Sequence, residues 1–293
     1  YLPPFFDFKS RIVWSQIEQV QSPAEIKHPA IRGVLEWMKI HDGVEIHHHG
    51  DLPARTGLGS SSSFTVGLLH ALHAMRGELI SKRALAEEAI YVEQSVLKEN
   101  VGVQDQISSA FGGLNRVDIR QDGSFEVVPL VVQAERLESL QKHLLLVYTG
   151  LSRHASEIAA EQVSTMGSKT AEMKAMRSMV DEGERILAGT GPLRDFGRLL
   201  DEAWQRKRSL SSKIAPGLVN EMYDAARQAG ADGGKLLGAG GGGFMLIFVE
   251  PAKRAAVLKS LDKLLPVPFR FERGGTQLVL YEAQSKNGNA GLI

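Results

Sequence analysis

The sequence predicts an α+β protein of two domains, and three observations carry that expectation. The chain has 293 residues, more than one hydrophobic core usually organises. Its first half reads as strand, glycine–serine loop and apolar helix, while its second half mixes helices with short apolar strands that are not adjacent in sequence. Composition also shifts near residue 140, after which helix formers dominate, so domains are expected at 1–140 and 141–293.

Residues 1–8 hold two prolines and three phenylalanines and run into a strand-like segment at 11–14. There is no initiator methionine, and the chain is expected to begin downstream of the protein's true start. Ile31, Val34, Leu35 and Met38, spaced by three and four, predict a helix over 28–42, followed by a strand at 44–48. A small polar loop at 51–63 leads into an apolar helix at 64–75. Ser81 is an N-cap for a helix reaching about Lys98, with Ala84, Leu85, Ala89, Ile90 and Val92 on its buried side. After the glycine-containing loop 102–106 and the turn at Gly112-Gly113, residues 114–119 and 125–128 form a hairpin about Asp122-Gly123. A buried strand is expected at 144–148, helices over 156–211 with a break at 189–192, and a helix at 219–228 closed by Gly230. The glycine-rich stretch 233–243 precedes a strand at 244–249, a helix at 251–264 and strands at 269–272 and 277–281.

Composition excludes several classes of function. Lys+Arg and Asp+Glu both number 34, giving a formal net charge of zero, and no basic run supplies the electrostatic footprint of a nucleic-acid or anionic-membrane binder. The absence of cysteine removes disulfides, thiolate nucleophiles and thiolate metal sites. No stretch approaches the ~18 apolar residues of a spanning helix, and the start lacks the layout of a signal peptide. A cytoplasmic protein is expected, monomeric or homodimeric.

The loop at 57–63 is the most informative segment. Backbone N–H groups at a helix N-terminus, freed of side chains by glycine, form an anion site that the helix dipole reinforces, and phosphate suits it. The hydroxyls of Ser60, Ser61 and Ser62 suit Mg²⁺, which takes oxygen ligands; a plain serine cap is the simpler alternative. Gly238, Gly240 and Gly243 match G-x-G-x-x-G in form, but a helix precedes them and a strand follows, the reverse of a dinucleotide site. So many glycines point instead to close backbone approach. Residues 230–235 are no P-loop, since Leu236 stands where Ser or Thr is required. Glu93, inside a helix, and Asp105, in the loop beyond it, suit a metal ligand and a group beside a reacting hydroxyl. A solvated carboxylate and an Asx-turn are their simpler alternatives. His47 and His49 share a strand face, where solvation is the simpler reading than a metal site lacking cysteine. Arg153 and the trio Arg206-Lys207-Arg208 suit an anionic substrate, or a solvated helix face.

Taken in order, "PARTGLGSSSS", "GVQDQ" and "KLLGAGGGGFML" resemble the phosphate-binding motif, the catalytic-aspartate loop and the C-terminal glycine motif of the GHMP small-molecule kinases. Within that family, "VEQSVLKENVGVQDQISSAFGGLNRVDI", "VYTGLSRHASEIAAEQ" and "AWQRKRS" are most similar to the heptose 7-phosphate kinases, and the likeness runs from about residue 30 to 275. It implies an N-terminal domain like domain 2 of ribosomal protein S5 and a ferredoxin-like C-terminal domain, with ATP and Mg²⁺. It puts nucleotide phosphates on Gly57, Leu58, Gly59, Ser60, Ser61 and Ser62, Mg²⁺ on Ser61 and Glu93, catalysis on Asp105, and substrate contacts on Arg153, Lys207, Gly240 and Gly241. The family's opening strand and its Gly-Gly-Gly-Thr-Asp-like turn are not among these residues. The activity implied is phosphorylation of the anomeric hydroxyl of a sugar phosphate, D-glycero-D-manno-heptose 7-phosphate giving the 1,7-bisphosphate. The alternatives are an anomeric kinase of a neutral sugar (fucose, galactose or an N-acetylhexosamine) and a non-catalytic sugar- and ATP-binding sensor. More distant is an oxidoreductase using 238–243.

Overall fold

A computed structural model describes residues 7–52, 56–151, 170–210, 214–215 and 217–282. The chain divides into two compact units: the first takes residues up to Asp51, Ser61–Gly112 and the chain from Gly274, the second Leu52–Ser60 and Gly113–Arg273. Between the two halves of the chain this division by packing falls at Gly112–Gly113.

In the first unit β1 (Ser10–Val13) pairs antiparallel with β2 (Ile17–Val20) and parallel with β3 (Glu45–His47). Burial alternates along the first two strands, with Ile12 and Val20 turned inward. Helix α1 (Pro29–Trp37) starts with a proline, whose missing N–H is unneeded in the first turn, and with His28 Nδ1 accepting from the Ile31 N–H at 3.4 Å. Its Ala30, Ile31, Val34 and Leu35 form the buried stripe that the spacing predicts. Helix α2 (Ser60–Met75) follows the glycine–serine loop, and α3 (Lys82–Tyr91) opens with Ser81 Oγ accepting from the Ala84 N–H. Instead of running unbroken to Lys98, that helix widens into a π turn at Val92–Val96, closed by Leu97 N–H donating to Val92 O at 2.8 Å. Helix α4 (Gln104–Phe111) completes the unit's helices among the described residues.

In the second unit the expected hairpin forms from β4 (Asn115–Ile119) and β5 (Phe125–Pro129), with Asp122 Oδ1 accepting from the Ser124 N–H and hydroxyl. Then come α5 (Ala134–His143), β6 (Leu144–Tyr148), α6 (Thr170–Ala188), α7 (Arg194–Arg208) and α8 (Gly217–Gln228). Strands β7 (Gly233–Leu236) and β8 (Phe244–Phe248), helix α9 (Arg254–Ser260) and strand β9 (Leu265–Val267) follow. The sheet is antiparallel in the order β7-β8-β6-β9. Strand β8 reads as an unbroken apolar run because both its faces are covered. Met245 and Ile247 pack with Trp204, Tyr223 and Leu236, while Phe248 packs with Leu140, Leu144 and Leu187.

Several expectations of strand are corrected. Residues 269–272 form no strand, because the Gln141 side chain replaces a ladder: its amide donates to Phe269 O at 3.2 Å and its Oε1 accepts from the Phe271 N–H at 2.9 Å. Residues 277–281 carry an apolar run but form no strand, and Val279 and Leu280 stand exposed. The edge is instead β9, paired with β6. The expected helix over 251–264 shortens to a 3₁₀ turn at Pro251–Lys253 and α9. Strand β7 escaped the sequence reading because it begins with two glycines. A Cβ at Gly233 would lie 1.9 Å from Gly197 O of α7, so helix and strand meet backbone to backbone.

Candidate active site

The first unit gathers the oxygen-bearing residues. Ser62 lies on the buried side of α2 with Thr65, Val66 and Leu69. Its hydroxyl donates to Glu93 Oε2 at 2.8 Å, and the Gln106 side-chain amide donates to the same oxygen. Glu93 is the second residue of the π turn and is fully buried, as is Gln106. Among the described residues Glu93 Oε1 has no hydrogen-bond partner, nor do Gln106 Oε1 and Thr65 Oγ1. An ionised oxygen buried without a partner is costly, and a divalent cation is a group that would satisfy it. Carboxylate, amide and hydroxyl oxygens are the hard donors Mg²⁺ takes, so these residues fit the ion.

Of the serines expected to serve the phosphates, Ser62 has one hydroxyl proton and spends it on Glu93, which leaves its backbone N–H for an anion. The hydroxyl beside Glu93 is thus that of Ser62; Ser61, the residue expected to share the metal, is exposed one position earlier. Ser63 Oγ lies 2.9 Å from Ser109 Oγ, tying α2 to α4. Asp105 is half-buried in the first turn of α4, where the helix dipole favours a negative charge. Its chain neighbour is Gln106, so the expected catalytic carboxylate sits one residue from the amide that grips Glu93.

The second unit holds the glycine loops. Thr56 is buried, and Gly57 and Gly59 take left-handed φ of 77° and 67°. A Cβ at Gly57 would lie 2.9 Å from Leu237 O, and one at Gly243 2.0 Å from Thr56 O. The 238–243 run therefore cradles the start of the phosphate-type loop. It is pinned in turn: Gly241 N–H donates to Ile214 O, Gly243 N–H to Leu151 O, and the Thr149 N–H and hydroxyl both donate to Gly243 O. A Cβ at Gly240 would lie 2.9 Å from Ile214 Cα, and the Gly241 N–H is spent on Ile214 O. Lys207 Nζ donates to Gly238 O at 2.7 Å, which gives this lysine a hold on the loop. Burial pushes Lys235, just ahead of the run, below the ordinary lysine range. Arg153 lies outside the described residues. Arg206 pairs with Glu202 at 2.8 Å, and His47 bonds Glu45 at 2.7 Å while stacking on His49. No trio of metal-ligating acids and histidines forms among the described residues.

Residues 26–113 match the family description "GHMP kinases N terminal domain", and residues 185–267 match "GHMP kinases C terminal". The chain belongs to the GHMP kinase family. No helix among the described residues is long and apolar enough to cross a membrane. A D-glycero-alpha-D-manno-heptose 7-phosphate kinase of Campylobacter jejuni is 28% identical over 235 residues, 79% of this chain and 69% of that protein. An L-fucokinase/L-fucose-1-P guanylyltransferase of Bacteroides fragilis is 30% identical over 244 residues, 77% of this chain and 24% of that longer protein. Among solved structures, a D-glycero-D-manno-heptose 1-phosphate kinase from Bacteroides thetaiotaomicron superposes with a TM-score of 0.66 at 23% identity, covering 94% of this chain and 85% of its own. That likeness speaks to fold. The GHMP kinase fold is the α+β fold the motifs imply.

Gln106 and the Ser62 hydroxyl's role escaped the sequence reading. A signal was present: each is a polar residue on an apolar helix stripe, Gln106 with Ile107 and Ala110, Ser62 with Val66 and Leu69.

Proposed function

We propose that this GHMP kinase transfers the γ-phosphoryl group of ATP to the anomeric hydroxyl of D-glycero-D-manno-heptose 7-phosphate, giving the 1,7-bisphosphate and ADP. The observation that carries the chemistry is the buried Glu93 carboxylate with one oxygen gripped twice and the other left open, one residue-link from Asp105. The likeness to the heptose 7-phosphate kinase supports the substrate.

In this mechanism the N–H groups opening α2, with Gly57, Leu58, Gly59 and Ser60 ahead of them, hold the triphosphate by hydrogen bonds and the helix dipole. Glu93 would hold Mg²⁺ through its open oxygen, with Ser61, at the exposed start of α2, proposed as the second ligand. When bound, that ion neutralises charge on the phosphate oxygens. Asp105 accepts the proton of the anomeric hydroxyl as its oxygen bonds to the γ-phosphorus, and the bond from that phosphorus to the β–γ bridging oxygen breaks, releasing ADP. Arg153 and Lys207 are the cations proposed for the 7-phosphate; Lys207 would exchange or share its bond to Gly238 O on doing so.

The likeness to an L-fucokinase favours one second reading, an anomeric kinase of neutral L-fucose. Incubation with Mg·ATP and a panel of heptose 7-phosphate, hexose 6-phosphates and free L-fucose, followed by ³¹P NMR, tests both. A new anomeric phosphate on the heptose alone is expected. One on fucose alone replaces the substrate, and ATP bound without any product supports a sensor.

A further inference from the structure

Two donors from different helices converge on one oxygen of Glu93. Ser62 Oγ comes from α2 and the amide of Gln106 from α4, while Glu93 itself hangs from the π turn after α3. All three residues are buried, Glu93 and Gln106 completely. Two hydrogen bonds on Oε2 fix the plane of the carboxylate and leave Oε1 as its single open acceptor. π turns inside α-helices recur at functional sites. Here the widened turn carries the carboxylate that the two donors hold.

We propose that Gln106, assisted by Ser62, is a positioning residue for Glu93. It presents one carboxylate oxygen to the divalent cation and links that ligand to the helix turn bearing Asp105. The proposal rests on the reading of Glu93 as the metal carboxylate. Its physical basis is that a ligand held by outer hydrogen bonds need not be ordered when the ion arrives, and removing such partners typically lowers metal affinity or activity ~10–100-fold. The same bond makes the seat of Glu93 and the first turn of α4 move together, since Gln106 follows Asp105 directly.

The role is distinct from simple packing. A packing defect lowers the folded fraction and leaves the affinity of each folded molecule alone, whereas a loosened carboxylate weakens cation binding in molecules that remain folded. Gln106→Met keeps length and volume but loses the donor; Ser62→Ala removes the second donor with little change of volume.

The experiment titrates Mn²⁺, read by electron paramagnetic resonance, into the full chain saturated with a non-hydrolysable ATP analogue, with thermal unfolding recorded in parallel. Gln106→Met is expected to raise the Mn²⁺ dissociation constant about tenfold and Ser62→Ala to raise it less. Both are expected to recover turnover at high Mg²⁺ with the KM for the sugar unchanged. Glu93→Gln serves as the reference. If it weakens Mn²⁺ binding while both Gln106→Met and Ser62→Ala leave it unaltered, the positioning role is overturned and the metal reading stands. If Glu93→Gln itself leaves Mn²⁺ binding unaltered, the metal reading fails and the proposal with it. Should Gln106→Met not fold, Ser62→Ala alone decides, because it tests the same oxygen from the other helix.

Discussion

The two segments that look most alike as sequence differ in where their backbone N–H groups go. Both 57–63 and 238–243 are glycine-rich, small and polar-flanked, and both invite a phosphate. In the second, glycine is demanded by neighbouring backbone: a Cβ at Gly243 would lie 2.0 Å from Thr56 O, and the N–H groups of Gly241 and Gly243 are already paired with Ile214 and Leu151. The first segment opens α2, where helical N–H groups lack intrahelical partners, and its serines lead to the Glu93 carboxylate. Gly57 meets backbone as well, a Cβ there falling 2.9 Å from Leu237 O, so what separates the two segments is the fate of their N–H groups, which composition alone does not give.

Substitutions can break that contrast. Gly243→Ala should do the most damage to stability, since it combines a left-handed φ of 97° with a backbone clash; about 2–4 kcal/mol is expected from strain and overpacking together. Denaturant unfolding and the KM for ATP check it, and an unchanged midpoint with unchanged KM would show that the run is no scaffold for Thr56–Gly57. Next comes Lys207→Met, which removes the bond to Gly238 O and should cost about 0.5–1.5 kcal/mol. A raised KM for ATP with an unaltered KM for the phosphorylated sugar would confine Lys207 to the loop, whereas the reverse split would make it a substrate cation.

The smallest effect is expected at a control position in the last turn of α2, away from the loop that opens that helix. Burial disfavours the charged imidazole of His73, but hydrogen bonds and charges from Glu88 and Glu78, each 2.7 Å away, outweigh it and raise its pKa above the ordinary 6.5. A raised folded-state value means the bridge is fully stabilising below pH 6.5 and is lost as pH rises through the folded pKa. Chemical denaturation between pH 5.5 and 8.5 should show that loss in the wild type and a flatter profile in His73→Gln, with turnover at fixed pH little changed. Equal slopes would remove the bridge from the account.

Much of this was readable from residues whose job is local. The Ser81 cap, the Asp122-Gly123 turn and the apolar run of β8 are set by neighbours a few positions away, and each stands where its signal points. Misreadings arose where a distant residue decides. Gln141 supplies the hydrogen bonds that residues 269–272 would need from a strand, and Gly197 explains why β7 starts with glycines. At the site, motif order singles out Glu93 and Asp105, whose roles are proposed. It misses the bonds of Gln106 and Ser62, because their partner is a carboxylate 13 and 31 positions away.

In the proposed mechanism Asp105 takes the proton of the hydroxyl that receives the phosphoryl group. Asp105→Asn keeps size and the place in the first turn of α4 while removing the base. ADP release under saturating Mg·ATP and the sugar identified by NMR should fall by about 10²–10⁴ in kcat, with ATP-analogue binding and the unfolding midpoint close to wild type. Turnover near the wild-type rate in a folded, ATP-binding Asp105→Asn protein would contradict the account.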